Sequence, residues 1–244
     1  MQRARSSLLP RLIVLAIASM SLSCGGEEPT PTVISAIPLV APGHNDVRPP
    51  PRGPRQPVRA IVSLVTLGTF PAPLIEAIEQ GLRQQLQVDV RRLAPLQLPQ
   101  TAYYPARRRY RADRLLQFLG QQMQNEPPAM RVLGLTEVDI SITKGRVQDW
   151  GIFGLGDLGG RSAVISTFRL RPNARDDAHF RFRVVTTAVH EVGHTLGLDH
   201  CIEPTCLMRD ADGGIEAVDT STGMAAECRA QLDRESPAII IPDS

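Results

Sequence analysis

Apolar residues change their spacing several times along this chain, and each change predicts an element. Ala60-Ile61-Val62-Ser63-Leu64-Val65-Thr66-Leu67 is a nearly continuous, β-branched run. Such a run fits a strand covered on both faces. Pro71 and Pro73 punctuate it, and then Leu74, Ile75, Ile78, Leu82 and Leu86 recur at helical spacing, predicting a helix over 74–87. Val88 to Leu93 alternates and reads as a second strand. Ala112, Leu115, Leu116, Leu119 and Met123 give a second helix over 111–124. Met130 to Ile142 reads as a third strand. Strand–helix–strand–helix–strand implies a mainly parallel sheet with right-handed crossovers. Gly151 to Leu155 and Ala163 to Phe168 flank Gly159-Gly160 as a hairpin-like pair. A long helix follows from near Phe182. Its apolar face is Val184, Val185, Ala188, Val189, Val192 and Leu196.

The first 57 residues carry a different pattern. Arg3, Arg5 and Arg11 precede eleven apolar or small residues, Leu12 to Leu22. That is too short for a membrane span and suits an export signal over 1–23. Ser21-Leu22-Ser23-Cys24 is similar to a bacterial lipobox, with Ser21 where Leu is usual. Two readings compete at Cys24: acylation of its thiol after cleavage, or ordinary cleavage that leaves a free Cys. Nine prolines between Glu27 and Pro57 make 24–57 an extended tether that buries no core. The folded domain is expected over 58–235, with 236–244 as a tail.

The chemistry concentrates in His190-Glu191-Val192-Gly193-His194-Thr195-Leu196-Gly197-Leu198-Asp199-His200. On a helix, residues four apart share a face, so both imidazoles at 190 and 194 can reach one ion. Glu191 lies beside them as a general base rather than a ligand. Gly197 tolerates positive φ, which lets the helix stop and His200 return as a third ligand. Three histidines leave a fourth tetrahedral position for water, the arrangement of a catalytic zinc site. The HExxH core alone arises by chance in roughly one such chain per hundred, and the fixed Gly and third His cut that by a factor on the order of a thousand. Asp199 is either an acceptor for an imidazole N–H or a solvated carboxylate.

This motif resembles that of the metzincin zinc peptidases. His200-Cys201, Cys206 and Met208 resemble the archaemetzincin family more closely. Tyr103-Tyr104-Pro105-Ala106-Arg107-Arg108-Arg109-Tyr110, Leu133 to Asp139 and Gly151 to Leu155 are similar to further segments of that family. The resemblance spans about 58–232. It implies an α+β, metzincin-like fold: a mixed, mainly parallel sheet with an antiparallel edge strand beside the cleft, a helix carrying the zinc motif, and a small C-terminal subdomain. There Met208 forms a Met-turn, an apolar floor under the metal. The family's second zinc sits on four cysteines. Here Cys201, Cys206 and Cys228 match, and Ala225 occupies the fourth place. A disulfide, a three-cysteine metal site and free thiols all stay open.

Composition adds little. The net charge of +2 marks no partner, and 42% hydrophobic with 21% charged residues suits a globular domain. The cluster Arg107, Arg108, Arg109, Arg111 and Arg114 is either a solvated face or a carboxylate-binding patch. Tyr103, Tyr104 and Tyr110 read as packing residues. The expected function is zinc-dependent hydrolysis of peptide bonds by a metal-held water, with Glu191 as base. The alternative is a non-catalytic, zinc-containing peptide-binding surface lipoprotein on the same scaffold. The expected partners are a peptide or protein substrate and a membrane reached through a lipid anchor, with no nucleic acid. The expected state is a monomer in the bacterial cell envelope.

Overall fold

The structure, a computed structural model, describes residues 57–240. Cys24, the export signal and most of the tether lie outside the described residues. β1 (Ile61–Thr66), α1 (Ala72–Leu86), β2 (Asp89–Arg92), α2 (Ala112–Gln122), β5 (Met130–Thr136), β8 (Gly154–Gly156), β9 (Ser162–Ser166) and α3 (Asp177–Thr195) form the main body, with β3 (Tyr103–Tyr104), β4 (Arg109–Arg111), β6 (Ile140–Lys144) and β7 (Val147–Ile152) in a second sheet. The main sheet runs β2-β1-β5-β9-β8. Its first four strands are parallel, and β8 lies antiparallel to β9 at the edge. The protein is thus mixed α+β.

Burial on two faces explains the continuous apolar runs. Val62 and Leu64 of β1, with Ala163 and Ile165 of β9, face the core shared with α1 and α3. Val65 and Val164, one residue out of step, face the core under α2. Ile78 and Leu82 of α1 and Val184, Ala188 and Val189 of α3 are fully buried on the first side. The zinc-motif helix is therefore packed against α1 and the sheet along most of its length.

Three expectations change. Met130 to Ile142 is two strands rather than one, β5 and then β6 (Ile140–Lys144), in different sheets. The break falls at 137–139. Asp139 is buried there between Arg109 and Arg169, whose guanidinium nitrogens approach to 2.9 and 2.7 Å. Next, α3 begins at Asp177, five residues before Phe182. The Asp176 side chain accepts the His179 backbone N–H at 2.7 Å, an N-cap that apolar spacing does not reveal. Finally, the segment expected as a tail is bound to the start of the domain. Val58 and Ile239 exchange two backbone hydrogen bonds of 2.8 Å.

The second sheet, β3 (Tyr103–Tyr104), β4 (Arg109–Arg111), β6 and β7 (Val147–Ile152), absorbs the arginine cluster. Arg109 also pairs with Asp149 at 3.1 Å, and Arg107 with the same carboxylate at 3.4 Å. Arg111 donates to the Thr143 hydroxyl, and Arg114 to the Thr101 carbonyl. Arg109 and Arg111 bridge strands, Arg114 ties α2 to the segment before β3, and none of the five arginines lines the cleft. Tyr103 and Tyr110 stack across β3 and β4 with centroids 5.1 Å apart. Among the described residues no helix is long and apolar enough to cross a membrane.

Arg183 of α3, almost fully buried, grips Asp219 in α4 (Glu216–Asp219) with hydrogen bonds of 2.6 and 2.8 Å. The Arg183 guanidinium, aided by His179, holds the Asp219 carboxyl below its ordinary value. The unfolded chain then binds more protons than the folded one in that range, so stability rises with pH. The contribution is complete above about pH 4 and is lost as pH falls through the depressed value. Asp219→Asn should cost about 2 kcal/mol at neutral pH and flatten the acid limb of a urea-unfolding pH series.

Candidate metal centre and active cleft

The last turns of α3 present His190 and His194 one above the other. Their Nε2 atoms are 3.0 Å apart. His190 Nδ1 lies 2.8 Å from the Leu207 carbonyl, and His194 Nδ1 lies 2.8 Å from the Leu198 carbonyl. A carbonyl only accepts, so each Nδ1 carries the hydrogen and each Nε2 keeps a bare lone pair. Burial, then the neighbouring His194, pushes the His190 pKa down to about 3, and burial lowers that of His194 as well. Burial thus disfavours the charged form of both rings. Two lone pairs face each other with no proton to share, an arrangement that a cation relieves.

The third imidazole arrives by the turn expected. Gly197 has φ of 91°, and the Leu198 N–H returns to the Gly193 carbonyl at 3.0 Å. The Arg131 side chain from β5 and the Gln231 side chain from α5 (Ala226–Glu235) bind the Thr195 and Gly197 carbonyls at 3.0 and 2.9 Å. These contacts fix the turn. The His200 ring centroid then lies 4.8 Å from that of His194, and the three histidines place ligand nitrogens within 4.8 Å of one another. Two zinc–nitrogen bonds at a tetrahedral angle separate their nitrogens by about 3.3 Å. The donor set fits zinc.

Glu191 is buried against the edge strand β8. Burial pushes its pKa up to about 8, against the Gly156 backbone N–H, which donates to the carboxylate. A Cβ at Gly154 would lie 2.6 Å from the Glu191 Cγ and Oε1, and one at Gly156 would lie 2.3 Å from the Glu191 carbonyl oxygen. Only glycine at both places lets β8 approach α3 this closely. The Gly-x-Gly spacing was the available sign of it. The cleft above has a volume of 310 Å³, and its walls include Trp150, Phe153, Leu155 and Leu158.

Met208 is fully buried beneath α3. A Cβ on Gly193 would sit 2.7 Å from its sulfur, so the glycine inside the zinc motif makes room for Met208. Asp199 does not serve an imidazole: its Oδ1 accepts the His200 backbone N–H at 2.7 Å. The acceptors that orient His190 and His194 are backbone carbonyls, which have no signature in a sequence. Asp210, also unmarked, stands 3.8 Å from His200 Nδ1.

Cys201, Cys206 and Cys228 converge as free thiols, their sulfurs within 4.8 Å of one another. Cys206 and Cys228 are 3.6 Å apart, longer than the bond of about 2.05 Å in a disulfide. The Cys206 sulfur accepts backbone N–H groups from Met208 and Ala225 at 3.4 Å each. Ala225 thus reaches the cluster through its backbone and supplies no fourth ligand. Among the described residues no further His, Cys or carboxylate joins the three.

Residues 82–234 match the family model described as Peptidase family M54. The chain belongs to this family. It is accordingly a zinc metallopeptidase of the archaemetzincin type. The archaemetzincin of Archaeoglobus fulgidus is 32% identical over 158 residues, 65% of this chain and 90% of that one. That of Haloquadratum walsbyi is 30% identical over 155 residues, 61% and 85% of the two chains. The crystal structure of archaemetzincin from Methanopyrus kandleri superposes with a TM-score of 0.62 at 30% identity, covering 72% of this chain and 94% of that one.

If Met208 fills the space that Gly193 leaves, Gly193→Ala forces sulfur or helix to shift. The variant should lose about 1–3 kcal/mol of stability, read as a lower thermal midpoint. A Met208→Ala background should absorb most of that loss.

Proposed function

We propose that this M54 peptidase hydrolyses peptide bonds in the cleft over α3, with a catalytic zinc on His190, His194 and His200 and with Glu191 as general base. The observation that carries the reading is the pair of bare Nε2 lone pairs 3.0 Å apart, with a buried carboxylate on the intervening residue. A zinc ion held there supplies Lewis-acid chemistry, acidifying water and polarising a carbonyl. Glu191 takes the proton of the attacking water and hands it to the leaving amine. Its dry setting favours the protonated form and so suits the second transfer, and the Gly156 N–H keeps the carboxylate aimed at the cleft. Met208 forms the apolar floor that holds the histidine turn from below, the Met-turn of the metzincins. The antiparallel edge strand β8 borders the cleft, and its free side supports docking of an extended peptide by strand addition.

The Arg-rich start, the short apolar core and Cys24 support a lipid-anchored peptidase facing outward in a bacterial envelope. Cys24→Ala should then move the protein from the membrane to the soluble fraction.

Glu191→Gln preserves the shape and removes the base. It should lower the cleavage rate on a mixed peptide library by about 10³-fold while one zinc per chain stays on the histidines. A strong chelator should abolish cleavage by the unaltered protein, and added zinc should restore it. Cleavage by Glu191→Gln at the unaltered rate would refute the assignment.

A further inference from the structure

The three histidines are not oriented alike. His190 and His194 give their Nδ1 hydrogens to carbonyls at 2.8 Å. His200 has no carbonyl in that role. Its Nδ1 faces Asp210 Oδ2 at 3.8 Å, and both side chains are about half exposed on the cleft wall. A movement of about 1 Å closes that gap to a hydrogen bond.

Asp210 is itself held. Its Oδ1 accepts the Asp212 backbone N–H at 2.8 Å, so its other oxygen is the one left toward His200. The turn that makes this bond is tight: Asp212 has φ of 44° and Gly213 of 81°, and the Gly214 N–H returns to the Ala211 carbonyl at 2.7 Å. Two residues of the β6–β7 hairpin clasp it from across the cleft. Lys144 Nζ pairs with Asp212 Oδ1 at 2.6 Å. Trp150 packs against Gly213, where a Cβ would come within 2.6 Å of the ring.

We propose that Asp210 is the positioning residue of the third histidine. Its carboxylate accepts the His200 Nδ1 hydrogen and leaves Nε2 for the ion, and Lys144 holds the Asp210 turn in place through Asp212. The inference rests on the zinc-peptidase reading above. It completes a set in which each of the three imidazoles has its own acceptor. A ligating histidine normally gives its other N–H to such a partner, and loss of that partner weakens metal binding by about 10–100-fold. Because His200 stands outside the helix on a partly exposed turn, it needs the partner most. The device also links a hairpin remote in sequence to the metal, so a substrate that disturbs the Lys144–Asp212 pair acts on the third ligand.

The test uses the full chain, with zinc affinity measured by competition with a fluorescent chelator. Visible absorption of the cobalt-substituted protein and the thermal midpoint of the metal-free protein are recorded in parallel. Asp210→Ala should bind zinc about 10–100-fold more weakly and change the cobalt spectrum. The metal-free midpoint should stay unchanged. Asp210→Asn offers one acceptor oxygen to the two N–H groups, of Asp212 and His200, that converge on this side chain, and should fall between the unaltered protein and Asp210→Ala. Lys144→Ala should weaken zinc binding too, by less than Asp210→Ala. Unchanged affinity and spectrum in Asp210→Ala would overturn the proposal. Unchanged affinity in Lys144→Ala would remove the hairpin from the assignment. A failure of the unaltered protein to bind zinc at one per chain would instead count against the metal site itself.

Discussion

His190 and His194 donate their Nδ1 hydrogens to the carbonyls of Leu207 and Leu198, and that turns both Nε2 lone pairs toward one point. Burial disfavours the charged form of both imidazoles. The rest of the site holds this orientation. α3 sets the spacing, and packing of Val184, Ala188 and Val189 against α1 and the sheet sets the direction. The two carbonyls belong to the chain after the helix, so the path of that chain decides the tautomers.

The C-terminal part can be understood from this requirement. Met208 fills the space under Gly193, and its carbonyl accepts the Cys201 N–H at 2.9 Å. The cysteine cluster ties that turn to α5, and Gln231 of α5 reaches back to the Gly197 carbonyl. Arg183 and Asp219 add a charged tie between α3 and α4. A short segment with little core of its own is held by polar and thiol contacts at the place where the metal turn needs rigidity.

On the other side of the cleft the constraint is one of clearance. β8 lies so close to α3 that Gly154 and Gly156 cannot carry a Cβ without striking Glu191. The closeness has two consequences. It buries the carboxylate, which raises its pKa, and it supplies the one backbone N–H that opposes the rise. A buried carboxylate beside a strand at the sheet edge follows from the same two glycines.

Local spacing was enough to read much of this. The buried strands, α1 and α2, the turn at Gly197 and the family itself all follow from short-range pattern, because helix periodicity, burial on two faces and turn chemistry are properties of neighbouring residues. Contacts between distant segments left no such mark. Asp139 broke the run from Met130 to Ile142 only because Arg109 and Arg169 meet it in space. Arg109 and Arg111 became part of the seam of a second sheet for the same reason. Carbonyl partners for His190 and His194 have no residue identity to read, and Asp210 stands beside His200 only because Lys144 and Trp150 clasp its turn from another sheet. The sequence determined which atoms could hold a metal. Only the tertiary structure decided which way they face, because orientation is set by partners that lie far away along the chain.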